Sequence, residues 1–202
     1  MDKLQASKRD DWRKTIFIMP TYRASFGRHD LKYFYRSEYY SNLKSLLSKD
    51  FINLLMSHNV RVVLCPHHHL KNTLNGMRLD FGNVEIADTT EVSHWIRNSD
   101  MCITDFSSVS FDFLFQHKPV VYWQLDVNDR QLDKDDQQKV QCARRDLLER
   151  FNVVFDITAL KETVMKYVEN GFDLEPEYAA EADRFFQRRT GICESLTSWL
   201  QK

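Results

Sequence analysis

Glycine is scarce in this chain, 5 among 202 residues, and neither a G-x-G-x-x-G nor a G-x-x-x-x-G-K-[ST] pattern is present. A glycine-rich dinucleotide loop and a Walker loop are therefore excluded. The four cysteines, Cys65, Cys102, Cys142 and Cys193, lie far apart, and two fall inside apolar runs. Such spacing is no disulfide framework and reads as the buried, reduced thiols of a cytosolic protein. Neither sign of charge is in excess: the formal net charge is -1, so no global basic field points to nucleic acid. No apolar run is long enough to cross a bilayer, and no signal-peptide pattern opens the chain. What is present suffices for a core. With 43% hydrophobic residues, one α/β domain over 1–202 is the simplest count.

Strand-like and helix-like patterns alternate along the chain. Residues 1–13 are charged and expected to be a flexible start. Thr15 to Met19 reads as a buried strand ending at Pro20. From Ser37 to Asn59, Leu43, Leu46, Leu47, Phe51, Leu54 and Leu55 recur at helical spacing, which fits one or two helices. Val60 to Cys65 and Val84 to Ala87 read as further strands. Glu91 to Asn98 reads as a helix with Val92, Trp95 and Ile96 inward. The segment from Leu125 to Gln141 carries Asp126, Asp129, Asp133, Asp135 and Asp136 without an apolar period, and is expected to be an exposed loop. It lacks the turn glycine and terminal glutamate of a calcium loop. Val153 to Asp156 is a strand, followed by a helix from Thr158 to Asn170, capped by Thr158 and stopped near Gly171. The tail, 177–202, is expected to be helical, with Phe185, Phe186, Leu196, Trp199 and Leu200 packing. This alternation implies a parallel sheet with helices on both faces.

The densest information lies between Met101 and Trp123. An apolar strand (Met101 to Thr104) leads into a polar corner (Asp105 to Ser108), an aromatic-faced helix (Val109 to His117) and a second strand (Val120 to Trp123). A corner of this kind aims backbone N–H groups and hydroxyls at one point, which suits an anionic, phosphate-bearing ligand at a strand's carboxyl end.

Three blocks, in order, resemble the carboxyl-terminal half of the CDP-glycerol glycerophosphotransferases, which polymerise teichoic acids and related capsule polymers. They are Ile16-Phe17-Ile18-Met19-Pro20-Thr21-Tyr22-Arg23, then Val62-Val63-Leu64-Cys65-Pro66-His67, then Ile103-Thr104-Asp105-Phe106-Ser107-Ser108-Val109-Ser110-Phe111-Asp112. The third is the specific one. The resemblance implies a Rossmann-like α/β lobe, one half of a GT-B arrangement, that binds the activated donor. It implies that Ser107 and Ser108 contact the donor's diphosphate, that Asp112 belongs to the same site, and that Arg23 and His67 line it, with His67 as the catalytic candidate. The implied partners are CDP-glycerol or a related CDP-polyol and a polyol-phosphate or lipid-linked acceptor. A separate amino-terminal lobe is a further implied partner, because the matching blocks begin almost at the first strand. No cofactor and no nucleic acid are implied. The implied location is cytoplasmic, peripheral on the inner face of the plasma membrane. A nucleotide-binding module without catalysis of its own, or a transferase using CDP-ribitol or a nucleotide sugar, would carry the same blocks.

Each candidate also has a structural alternative. Ser107 and Ser108 are natural helix caps. A carboxylate at Asp112 is favoured near a helix start and would meet a ribose or glycerol hydroxyl rather than phosphate. Asp105 is either a cap or a buried partner of Arg23, whose guanidinium is either a phosphate fork or a surface charge. Cys65, His67 and His69 would share one face of an extended chain. Pro66 intervenes, however, and no second Cys/His pair stands at ligand spacing, so no metal is assigned. Near a diphosphate, His67 would hold its proton more tightly and could stabilise the leaving nucleotide or act as general acid. Phe106, Phe111, Phe113 and Phe115 read as packing residues. The basic pairs Lys8-Arg9, Arg144-Arg145 and Arg188-Arg189 read as solvated surface.

Overall fold

The computed structural model describes residues 14–28, 31–67, 83–124, 126, 129–130, 132–139 and 151–186. Six parallel strands form one sheet: β1 (Lys14–Ile18), β2 (Val60–Leu64), β3 (Glu85–Ile86), β4 (Met101–Thr104), β5 (Val120–Trp123) and β6 (Val153–Val154). Their order is β3-β2-β1-β4-β5-β6. This is the doubly wound order, in which the connections run outward in both directions from a switch point between β1 and β4. The parallel sheet with helices on both faces expected from the alternation, and the Rossmann-like lobe implied by the resemblance, are therefore what is found.

The period-two alternation of a strand divides its side chains between two layers. Ile16, Ile18, Val62, Leu64, Ile103, Val121 and Trp123 join one core, and Phe17, Val63, Cys65, Cys102, Val120 and Tyr122 join the other. The first core is covered by α3 (Glu38–Leu46), α4 (Lys49–Ser57) and α7 (Ile157–Glu169). Two short helices, α1 (Ala24–Arg28) and α2 (Leu31–Arg36), precede them, and neither is marked by an apolar period in the sequence. The second core is covered by α5 (Val92–Asn98), α6 (Val109–Phe115) and α8 (Pro176–Phe185), through Trp95, Phe113, Leu114 and Ala182.

Helix ends follow local chemistry. The Ser37 hydroxyl accepts from Tyr40 N and caps α3. Asn59, at φ 60°, terminates α4 in the left-handed conformation and turns the chain into β2. Helix α7 starts one residue earlier than expected, and its cap is Asp156, which accepts from Ala159 N at 2.8 Å, rather than Thr158. It ends at Glu169, and Gly171, at φ 78°, lies just beyond, near the expected stop. Pro176 occupies the first turn of α8, where its missing N–H costs nothing. Phe186 packs on the second core, but Phe185 is 49% exposed and stacks instead on Phe111, 5.0 Å between ring centres. The inner packing expected of Leu196, Trp199 and Leu200 lies outside the described residues, as do residues 1–13, Cys142 and Cys193.

The Asp-rich segment after β5 is not the solvated loop that its composition suggested. Asp126, Asp129 and Asp136 are 2–3% exposed. The Asp129 carboxylate accepts from Glu38 N at 2.7 Å, at the start of α3. The Asp136 carboxylate accepts from Ser25 N at 2.8 Å and from the Ser25 hydroxyl at 2.6 Å, in the first turn of α1. Asp133 caps a helical turn over 134–139 by accepting from Asp136 N at 3.0 Å. The segment is a strap whose carboxylates neutralise helix N-termini.

Candidate functional site

The three sequence blocks follow β1, β2 and β4, which are neighbours in the sheet, so their turns emerge side by side at its carboxyl edge. Two of them, Pro20 to Arg23 and Asp105 to Ser108, flank the switch point, where doubly wound sheets bind ligands.

Asp105 ties this edge together. Its Oδ1 accepts from Thr21 N at 3.0 Å, from the Thr21 hydroxyl at 2.6 Å and from Phe106 N at 2.7 Å. Its Oδ2 lies 2.7 Å from Arg23 Nη1. Its backbone carbonyl accepts from Gln124 Nε2 at 2.7 Å, at the end of β5. One residue thus joins the ends of β1, β4 and β5. Of the two structural roles open to Asp105 in the sequence, the structure shows the partner of Arg23; its carboxylate accepts from Thr21 and Phe106 and does not cap the following helix.

Arg23 is not a fork held out to phosphate. It is 1% exposed, and its guanidinium is gripped by Asp126, with Nε to Oδ2 at 2.7 Å and Nη2 to Oδ1 at 3.0 Å. Nη1 also donates to Thr21 O at 3.1 Å. The Phe106 ring centre lies 4.6 Å from the guanidinium carbon and the Tyr39 ring centre 5.4 Å, two cation–π contacts. Burial alone would lower the Arg23 pKa, but Asp105 and Asp126 more than offset it and raise it above its ordinary value. Arg23 is therefore charged at any pH at which the protein folds. Burial pushes the Tyr39 phenol far up, with Asp105 adding to the effect. The small cavity beside this network is lined by Pro20, Arg23, Tyr39, Asp105, Trp123 and Asp126.

The remaining candidates lie around this cluster. Ser108 precedes α6 at φ −61°, ψ −17°, is exposed, and makes no side-chain bond to the helix it caps. The Ser107 hydroxyl accepts only a long contact, 3.5 Å, from Val109 N, while its carbonyl accepts from the Ser110 hydroxyl at 2.8 Å. Helix capping therefore does not account for either hydroxyl. Asp112 is exposed and stands four residues after Ser108, a spacing that puts both on one face of α6. His67 is partly buried, three residues past β2, and stacks on Tyr22, with 5.2 Å between ring centres and 18° between planes. His68 and His69 lie outside the described residues. The aromatic stripe divides: Phe113 is buried, Phe106 covers Arg23, and Phe115 is 38% exposed.

Reasoning from the sequence did not find Tyr22, Tyr39, Gln124 or Asp126. Tyr39 was hidden because it lies inside a helix between β1 and β2, away from any strand end. Gln124 and Asp126 had a usable signal: they stand one and three residues after the apolar run Val120 to Trp123, and so at a strand's carboxyl end.

Known proteins resemble this chain in sequence and in fold. The chain is 32% identical over 181 residues to the minor teichoic acid biosynthesis protein GgaB of Bacillus subtilis (strain 168), covering 87% of this chain and 19% of that protein. Among solved structures, the wall teichoic acid polymerase TagF superposes with a TM-score of 0.52 at 19% identity, over 91% of this chain and 39% of TagF. The spinosyn rhamnosyltransferase SpnG superposes with a TM-score of 0.51 at 14% identity, over 98% of this chain and 47% of SpnG. At such identities the likeness shows a shared GT-B-type fold. The chain spans less than half the length of each of these proteins. Residues 5–188 match the family described as CDP-Glycerol:Poly(glycerophosphate) glycerophosphotransferase, and with that match over most of its length the chain belongs to this family.

Proposed function

We propose that this chain carries the donor site of a glycerophosphotransferase, which holds CDP-glycerol for transfer of glycerol phosphate to a teichoic-acid or capsule-type acceptor. The observation that carries the reading is the corner at the switch point, where the Ser107 and Ser108 hydroxyls are left uncommitted to capping. The donor's diphosphate lies against these hydroxyls and the start of α6, and Asp112 takes a hydroxyl of the ribose or glycerol. An acceptor hydroxyl attacks the phosphorus that bears the glycerol. A new O–P bond forms, the P–O–P bridge breaks, CMP leaves, and the acceptor's proton is released. Positioning and charge stabilisation supply most of the rate in such transfers. A protonated His67, held flat against Tyr22, stabilises the charge on the departing CMP. The donor is CDP-glycerol or another CDP-polyol, and the site works at a membrane face where lipid-linked acceptors are reached. Among the described residues no helix is long and apolar enough to cross the membrane itself.

The test is calorimetric titration with CDP-glycerol, CMP and UDP-glucose, with CMP release assayed alongside. CDP-glycerol binding that CMP competes and UDP-glucose does not is the expected result. Losing two hydrogen bonds to a charged group, at about 1.5–3 kcal/mol each, should weaken the Ser107→Ala/Ser108→Ala double variant at least a hundredfold. Unchanged affinity in that variant would refute the assignment.

A further inference from the structure

Asp126 touches none of the residues assigned to the donor, yet it grips Arg23 bidentately, with both side chains 4% exposed or less. Arg23 passes that grip on in two directions. It meets Asp105 Oδ2 at 2.7 Å, and it lies against the Phe106 ring at 4.6 Å. Phe106 immediately precedes Ser107, so the guanidinium contacts add to the bonds from Thr21 and Gln124 in setting the direction in which the chain leaves β4. Asp105 alone would leave Nε and Nη2 without acceptors and the fork free to rotate. A bidentate carboxylate fixes both the position and the plane of the guanidinium.

We propose that Asp126 is a positioning residue for the donor corner: acting through Arg23, it holds residues 105–108 in the arrangement that accepts a nucleoside diphosphate. The proposal rests on the function inferred above. Asp126 is itself held in place, because the strap that carries it is anchored at Glu38 N by Asp129 and at Ser25 by Asp136. Tyr39, whose ring also contacts the Arg23 guanidinium, adjoins the first of these anchors. The acidic strap thus acts on the donor corner without meeting the donor.

The experiment uses Asp126→Asn, Asp126→Glu and Arg23→Lys, each studied well below its own Tm. Amide correlation spectra are recorded without ligand, and CDP-glycerol affinity is measured in parallel. In Asp126→Asn the amides of Thr21, Phe106, Ser107 and Ser108 should shift or broaden, those of α7 should stay in place, and affinity should fall about tenfold. Asp126→Glu, which keeps the carboxylate, should recover most of that affinity. A folded Asp126→Asn protein with Ser107 and Ser108 amides and affinity as in the wild type would overturn the proposal. So would an equal disturbance of α7, which would mark a general packing role. Should Asp126→Asn fail to fold, Arg23→Lys carries the same comparison, since it keeps the charge but loses the planar fork. Failure of the wild-type chain to bind CDP-glycerol would sink the functional reading instead, and the spectra would still decide whether Asp126 positions the corner.

Discussion

Replacing Asp136 with alanine tests whether the acidic segment is a strap. Its carboxylate accepts two bonds, from Ser25 N at 2.8 Å and the Ser25 hydroxyl at 2.6 Å. Ser25 is fully buried and Asp136 is 2% exposed, so no water replaces the lost acceptor. Bonds to a charged group contribute about 1.5–3 kcal/mol each. The Ser25 hydroxyl, which also accepts from Asp133 N at 2.9 Å, can reorient and recover part of its share. A net loss of about 3 kcal/mol is expected, above the ordinary cost of a lost cap, about 1 kcal/mol. For a chain of this size that corresponds to a fall in Tm of about 6–12 °C. Asp135→Ala is the control, since Asp135 is exposed in the same segment and should lie within about 0.5 kcal/mol of the wild type. Urea unfolding of both variants gives the comparison. If they lose the same small amount, the segment is the solvated loop that its composition suggests, and the strap is wrong.

Two further outcomes follow from other parts of the core. Burial holds the phenols of Tyr39, Tyr122 and Tyr167 above their ordinary pKa, whereas in the unfolded chain they ionise near pH 10. The folded state then retains protons that the unfolded state loses, so the stability these groups contribute is complete below about pH 10 and declines above it, by about 1.4 kcal/mol per phenol per pH unit. Absorbance at alkaline pH should therefore release these three tyrosinates only together with unfolding, and their titration in the folded protein would contradict the burial. Gly171→Ala should cost about 1 kcal/mol, because φ is 78° but nothing lies within 4 Å of the added Cβ. A loss of several kcal/mol in urea unfolding would mean that the turn is packed more tightly than its geometry shows.

The strands and the corner are legible in the order of the residues. Apolar runs such as Val62 to Cys65 and Val120 to Trp123 are buried on both faces, and two-sided burial leaves a composition signal that needs no partner to be read. The Asp105 to Ser108 corner was legible for the same reason, as a polar break between a strand and a helix. The tertiary structure alone decided what the charges do. Arg23 and Asp126 are 103 residues apart, and Asp136 and Ser25 are 111 apart. A buried carboxylate has the same letter as a solvated one, so Asp126, Asp129 and Asp136 read as loop until the sheet order brings β5 near β1. Thr158 was the cap expected from the sequence, and backbone geometry gives that place to Asp156, a stronger cap by type. Hydrophobic periodicity is a property of the segment, whereas ion pairing is a property of the pair, and only folding brings its two members together.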